Sequence, residues 1–101
     1  MNEPASAPLT RALELTVGML DAAAGDNWDR VSQLDAERQR SLRKCGAEPL
    51  GAGERQLVAA LLKHNQTLLA LAEGARAALH KQLDQHRYNH RALRTYIASS
   101  R

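Results

Sequence analysis

The residues best suited to chemistry are His86 and His90, four apart in the stretch "DQHRYNH" (residues 84–90). On a helix this spacing puts two imidazoles on one face, where they could share a metal ion. A site needs a third and a fourth ligand. His64 and His80 do not fall on neighbouring turns of the same site, and Asp84 adds little, so the pair reads as a polar interruption of a helical seam. Cys45 has no Cys-x-x-Cys partner and reads as a half-buried structural thiol. Asp21, Asp26, Asp29, Asp35 and Glu37 fall on differing helix faces, which argues against paired acid–base work. No glycine-rich phosphate loop occurs, and "GAG" at residues 51–53 reads as linker. The expectation is a protein that is not an enzyme, with no metal and no cofactor.

Arg38 raises a different question. It lies between Leu34 and Leu42, inside an apolar stripe, with Asp35 one turn before it. A charge placed there must be paired or sit at the edge of packing. Its expected partner is Asp35, or Glu14 across a hairpin, with contact to a partner chain as the alternative. Asn65 lies in an apolar seam further on and resembles the buried amides that fix register in helical packing.

The elements that must position these residues are helical. Alanine and leucine dominate the apolar content, whereas valine and isoleucine are scarce. Residues 1–8, with Pro4 and Pro8, read as a disordered lead-in, and Ser6 followed by Pro8 as a helix start. Leu9, Leu13, Val17, Leu20 and Ala24 form one stripe of a first helix over 9–24. Leu15 and Met19, with Ala12 and Ala22, are left on the opposite face as apparent excess apolar surface, a candidate homodimer contact. Gly25 suits a helix C-terminus and Asp26 or Asn27 an N-cap, so a second helix over 27–44 returns antiparallel. Trp28, Val31, Leu34, Leu42 and Cys45 share its face, with Trp28 expected to clamp the hairpin over Leu20 and Ala24.

The segment "CGAEPLGAGE" (residues 45–54) is a loop. A third helix follows over 54–83, with a seam of Leu57, Leu61, Leu68, Ala72, Ala75, Leu79 and Leu83. Val58, Leu62, Leu69 and Leu71 widen its apolar face beyond an ordinary core stripe. The register continues through His86 and His90 to Leu93 and Ile97, so one helix of more than forty residues is an option. Residues 84–90 are its weak point or hinge, and a short C-terminal segment over 87–98 follows, either separate or continuous with it. The fold class is all-α, an antiparallel helical bundle of three to four helices with a long third helix, in a single domain over 9–101.

The formal charge of +3 is unevenly spread. Residues 1–50 carry six Lys/Arg against eight Asp/Glu, and residues 51–101 carry eight against three. A solvated basic face explains this, because Tyr88 and Tyr96 are the only aromatics there for base stacking. The N-terminus "MNEPASAPL" lacks the basic and apolar regions of a signal peptide, and no apolar run approaches the roughly 20 residues of a membrane span. One cysteine gives no internal disulfide, so a soluble cytosolic protein follows.

An apolar helix, then "GDNWDRVSQLDAERQRSL" (residues 25–42), a Gly/Pro loop, "LLKHNQTLLALAEGARAALHKQL" (residues 61–83) and a closing "ALRTY" (residues 92–96) together resemble the FliT family of flagellar export chaperones. The resemblance implies a cytosolic helical bundle that binds the C-terminal helical region of the filament-cap protein FliD. It further implies that this masking prevents early assembly, and that the client is delivered to the flagellar type III export apparatus through its ATPase. Carried onto this chain, the client surface comprises Val31, Leu34 and Arg38 with Leu57, Leu61, Leu62, Leu68, Leu69, Leu71, Leu79 and Leu83. The regulatory C-terminal segment that covers the surface in this family would carry Leu93, Tyr96 and Ile97.

Three rivals stay open. A FlgN-type chaperone of hook–filament junction proteins belongs to the same class. A coiled-coil adaptor would be a stable dimer without a client. A helical nucleic-acid-binding regulator would use Arg76, Lys81, Arg87, Arg91 and Arg94, but these form no single clean stripe, so no nucleic acid and no membrane partner is expected.

Overall fold

Three α-helices, and no strand among the described residues, make up the computed structural model, which describes residues 6–46 and 49–100. They are α1 (Ser6–Ala24), α2 (Trp28–Arg43) and α3 (Ala52–Ser99). The expected lead-in over 1–8 is cut short, because α1 already includes Ser6, Ala7 and Pro8; residues 1–5 lie outside the described part. A first-turn proline loses nothing, since its missing N–H would have had no intrahelical acceptor.

The turn after α1 is closed by the backbone. Asn27 N–H donates to Ala22 O at 2.8 Å and Asp26 N–H to Ala23 O at 3.0 Å, the paired bonds of a Schellman ending. The residue in the left-handed region is Asp26 (φ 60), one position beyond the glycine expected to take the turn. Asn27 then caps α2, its side chain accepting from Arg30 N–H at 3.2 Å. At the start of α3, Gly51 N–H donates to Glu54 Oε1 at 2.7 Å, so the helix begins two residues earlier than the sequence suggests.

At residues 84–90, the weak point of the sequence, the helix does not break: α3 runs through them to Ser99, and the C-terminal segment over 87–98 is part of it rather than a fourth helix. Polar residues interrupt an apolar seam without interrupting helicity, because the stretch contains neither glycine nor proline. Side chains one turn apart also support one another there. Gln85 Nε2 donates to Asn89 Oδ1 at 3.1 Å, and the His86 and His90 rings stack with centroids 6.4 Å apart.

The chain divides into two units, residues 1–71 and 72–101. In the first, α1 and α2 form an antiparallel hairpin. Ser41, near the end of α2, donates to Pro8 O at 2.8 Å near the start of α1, while Trp28 packs against the core at the turn. The core cluster is Leu15, Met19, Ala23, Leu34 and Leu68, with Leu20, Trp28 and Val31 packed against it. The second unit is the remainder of α3, and every residue from 76 to 100 is exposed.

This core overturns part of the reading of the first helix, although Leu9 of the expected stripe is buried and Leu20 packs against the core. Leu15, Met19 and Ala12, read as excess surface, are buried, whereas Val17 of the expected stripe is 42% exposed and Ala24 is exposed as well. The reason lies at Gly18. A Cβ built there would sit 3.3 Å from Leu34 Cδ1, so α2 crosses α1 where no side chain intervenes. Close approach at that point turns residues 12, 15, 16, 19 and 23 inward. Both faces of the helix are apolar, so periodicity alone could not choose between them.

Candidate functional site

The site is built around Arg38, whose side chain is only 15% exposed. Its Nη2 pairs with Asp35 Oδ1 at 2.8 Å, one turn earlier on α2, the expected partner. Its Nη1 donates to Thr16 Oγ1 on α1 at 3.2 Å and to Asn65 Oδ1 on α3 at 3.1 Å. One guanidinium therefore ties three helices together. Thr16, fully buried, donates in turn to Ala12 O at 2.8 Å, so its hydroxyl is satisfied in both roles. Among the described residues no buried side-chain polar atom lacks a partner. A low-dielectric network satisfied in this way fixes register. The register role expected of Asn65 is carried out through Arg38. Glu14 takes no part; the cross-hairpin ion pair is Arg11 with Glu37, at 4.0 Å and exposed.

Above this tie α3 stands off from the hairpin. The backbones of α1 and α2 come close along their length, whereas α3 meets them through side chains. The long Arg38 side chain props the gap, leaving an open cleft of about 360 Å³. Leu9, Leu42, Val58, Leu61 and Leu62 form its apolar walls, and Asp35, Arg38, Gln39 and Asn65 supply a polar edge. Leu62 at 61% and Leu42 at 39% are exposed at the rim, with Leu69 and Leu71 further along the same helix. Such a concave, mostly apolar cleft with a few fixed polar groups suits an apolar ligand surface such as an amphipathic helix.

The structure sorts the expected binding residues into four groups. Leu34 and Leu68 are core side chains, 7% and 6% exposed, because each is the contact its helix makes with Met19 and Leu15. Val31 packs half-buried on that core, and Leu57 is half-buried on α3. Leu61, Leu62 and Arg38 line the cleft, with Leu69 and Leu71 exposed beyond it. Leu79 and Leu83 belong to the second unit and are exposed, as are Leu93, Tyr96 and Ile97. Of the residues lining the cleft, the expected binding set lacked Leu9, Asp35, Gln39, Leu42, Val58 and Asn65. Leu9 was read as core, which its burial bears out, and Gln39 carried no signal beyond its place one residue after Arg38. Cys45 is half-buried, and no group of three His, Cys, Asp or Glu side chains gathers among the described residues. None of the described helices is long and apolar enough to cross a membrane.

A family model described as "Flagellar protein FliT" matches residues 7–98, nearly the whole chain and all three helices. Neither the curated proteins nor the solved structures gave a match.

Proposed function

Because the chain belongs to the FliT family, with its flagellar chaperone role, we propose that it masks the C-terminal helical region of the filament-cap protein FliD in the cytoplasm and delivers it to the type III export apparatus. The mechanism is non-catalytic. An amphipathic client helix lays its apolar face into the cleft between α2 and α3, against Leu9, Leu42, Val58, Leu61 and Leu62. The observation that carries this reading is the cleft itself: an apolar trough beside a prop that hydrogen-bonds to all three helices. A prop that cannot collapse without giving up its hydrogen bonds to Thr16, Asn65 and Asp35 keeps the trough formed before the client arrives, which lowers the ordering cost of binding.

Release then needs no chemistry, only a competing surface on the apparatus, and the export ATPase is the partner that would supply it. Exposed Leu69, seven residues after Leu62 and so on the same face of the helix, extends the client surface along α3. The test is calorimetric titration of a peptide spanning the FliD C-terminal helices into the full chain. Saturable one-to-one binding at micromolar concentration supports the reading, and absence of heat up to roughly 100 μM rejects it.

A further inference from the structure

The second unit holds a surface that the client reading does not use. Leu79, Leu83, His86, His90, Leu93 and Ile97 are spaced 4, 3, 4, 3 and 4 apart, the heptad spacing of a coiled-coil seam. All six are exposed; Leu79 is 56%, Leu83 44%, Leu93 55% and Ile97 48% so. A helix whose seam is solvated along its whole length has made a contact surface and left it open.

The charge beside the seam selects the occupant. One flank presents His80, Arg87 and Arg94; the other presents Gln82, Asn89 and Tyr96, with no carboxylate on either. Arg87, His90, Arg91 and Arg94 enclose a shallow cleft of about 240 Å³, and among the described residues no carboxylate lies within ion-pairing distance of these arginines. Residues 72–101 carry six Lys/Arg against two Asp/Glu. A second copy of the chain fits this poorly. Antiparallel pairing would set the Arg87 and Arg94 flank against itself, and parallel pairing would set it against neutral residues. A nucleic acid would leave the leucines solvated, and a membrane surface wants a broader apolar face than a seam two residues wide and interrupted by histidines.

We propose that residues 79–97 of α3 are a second docking face, which pairs with an amphipathic helix of a partner protein carrying apolar residues at heptad spacing and acidic residues beside them. The leucines and Ile97 bury the partner's stripe, while Arg87, Arg91 and Arg94 meet its carboxylates. About 27 Å of helix is available for this at 1.5 Å per residue.

The proposal is tested on the full chain with three labelled peptides, read by fluorescence anisotropy. The first is a three-heptad peptide with Leu at the seam positions and Glu beside them, the second replaces Glu by Lys, and the third scrambles the first. Saturable binding of the Glu peptide alone is expected. The double variant Arg87→Glu/Arg94→Glu, at exposed positions, should keep its helical circular dichroism, weaken the Glu peptide at least about tenfold and take up the Lys peptide instead. Leu83→Ser/Leu93→Ser should also weaken it, whereas Leu62→Glu in the client cleft should leave it unchanged. Equal binding of the scrambled peptide, binding of the Glu and Lys peptides alike, or no binding overturns the proposal. So does preferential binding of duplex DNA, of anionic phospholipid vesicles, or of a second copy of the chain that excludes the peptide.

Discussion

Arg38 Nη1 and Asn65 Oδ1 lie 3.1 Å apart, joining the middle of α2 to the middle of the packed half of α3. Because the same guanidinium also holds Thr16 and Asp35, removing it strands acceptors on three helices, while removing Asn65 strands only part of its donors. Arg38→Met is expected to cost about 1–3 kcal/mol in urea unfolding and Asn65→Ala less. The double variant should fall short of the sum by about 1 kcal/mol, the coupling expected of direct partners. Strict additivity in that cycle would refute the tie.

Gly18 and Gly74 make a matched pair. Both are helical, but a Cβ at Gly18 meets Leu34 Cδ1 at 3.3 Å and a Cβ at Gly74 meets nothing within 4 Å. Gly74→Ala should therefore raise helical stability by about 1 kcal/mol, the propensity difference in an exposed helix. At Gly18 the same gain is offset by crowding of a buried leucine, and Gly18→Val should lower the thermal midpoint, at a cost of about 1–3 kcal/mol.

Asp26 does two things at the hairpin turn. It takes the left-handed backbone, and its Oδ1 accepts the Trp28 indole N–H at 2.7 Å. Asp26→Asn should be close to neutral, since asparagine tolerates both roles. Asp26→Ala should cost about 1–2 kcal/mol through backbone strain alone and shift Trp28 fluorescence. Asp26→Gly relieves the strain but still loses the indole bond, so its fluorescence should shift as in the alanine variant while its stability stays nearer the parent's. Trp28 is half-buried rather than enclosed, so Trp28→Ala is expected to fall below the roughly 3–5 kcal/mol of a fully buried tryptophan.

Binding and packing separate on the apolar surface. Leu62→Glu, at the rim of the cleft, should weaken the FliD peptide at least about tenfold and leave the circular dichroism unchanged. Val17→Glu, equally apolar in the parent and exposed on α1 away from the cleft, should leave binding intact. Leu34→Ala should fail differently, by unfolding, at a cost of about 2–5 kcal/mol. Equal loss of peptide affinity in the Leu62 and Val17 variants would reject the cleft as the client site.

The sequence by itself determined the local features. Helices followed from leucine and alanine spacing, the start of α2 from Asn27, and the pairing of Arg38 with Asp35 from the three-residue separation that one helical turn brings together. The continuity of α3 was left open by the sequence, because polar residues interrupt its apolar seam across residues 84–90 although glycine and proline are absent there. Tertiary structure alone decided which side of α1 faces inward, because two faces of that helix are comparably apolar and the choice fell to the close approach of Leu34 over Gly18. It also decided that Arg38 reaches Thr16 and Asn65, residues 22 and 27 positions away. A long charged side chain bridging three helices leaves no periodic trace, and neither does the cleft it props open, since a gap is a property of the space between elements. That is why Leu34 and Leu68 read as binding residues and proved to be core, while Leu9 is buried as its stripe implied and also forms one wall of the cleft.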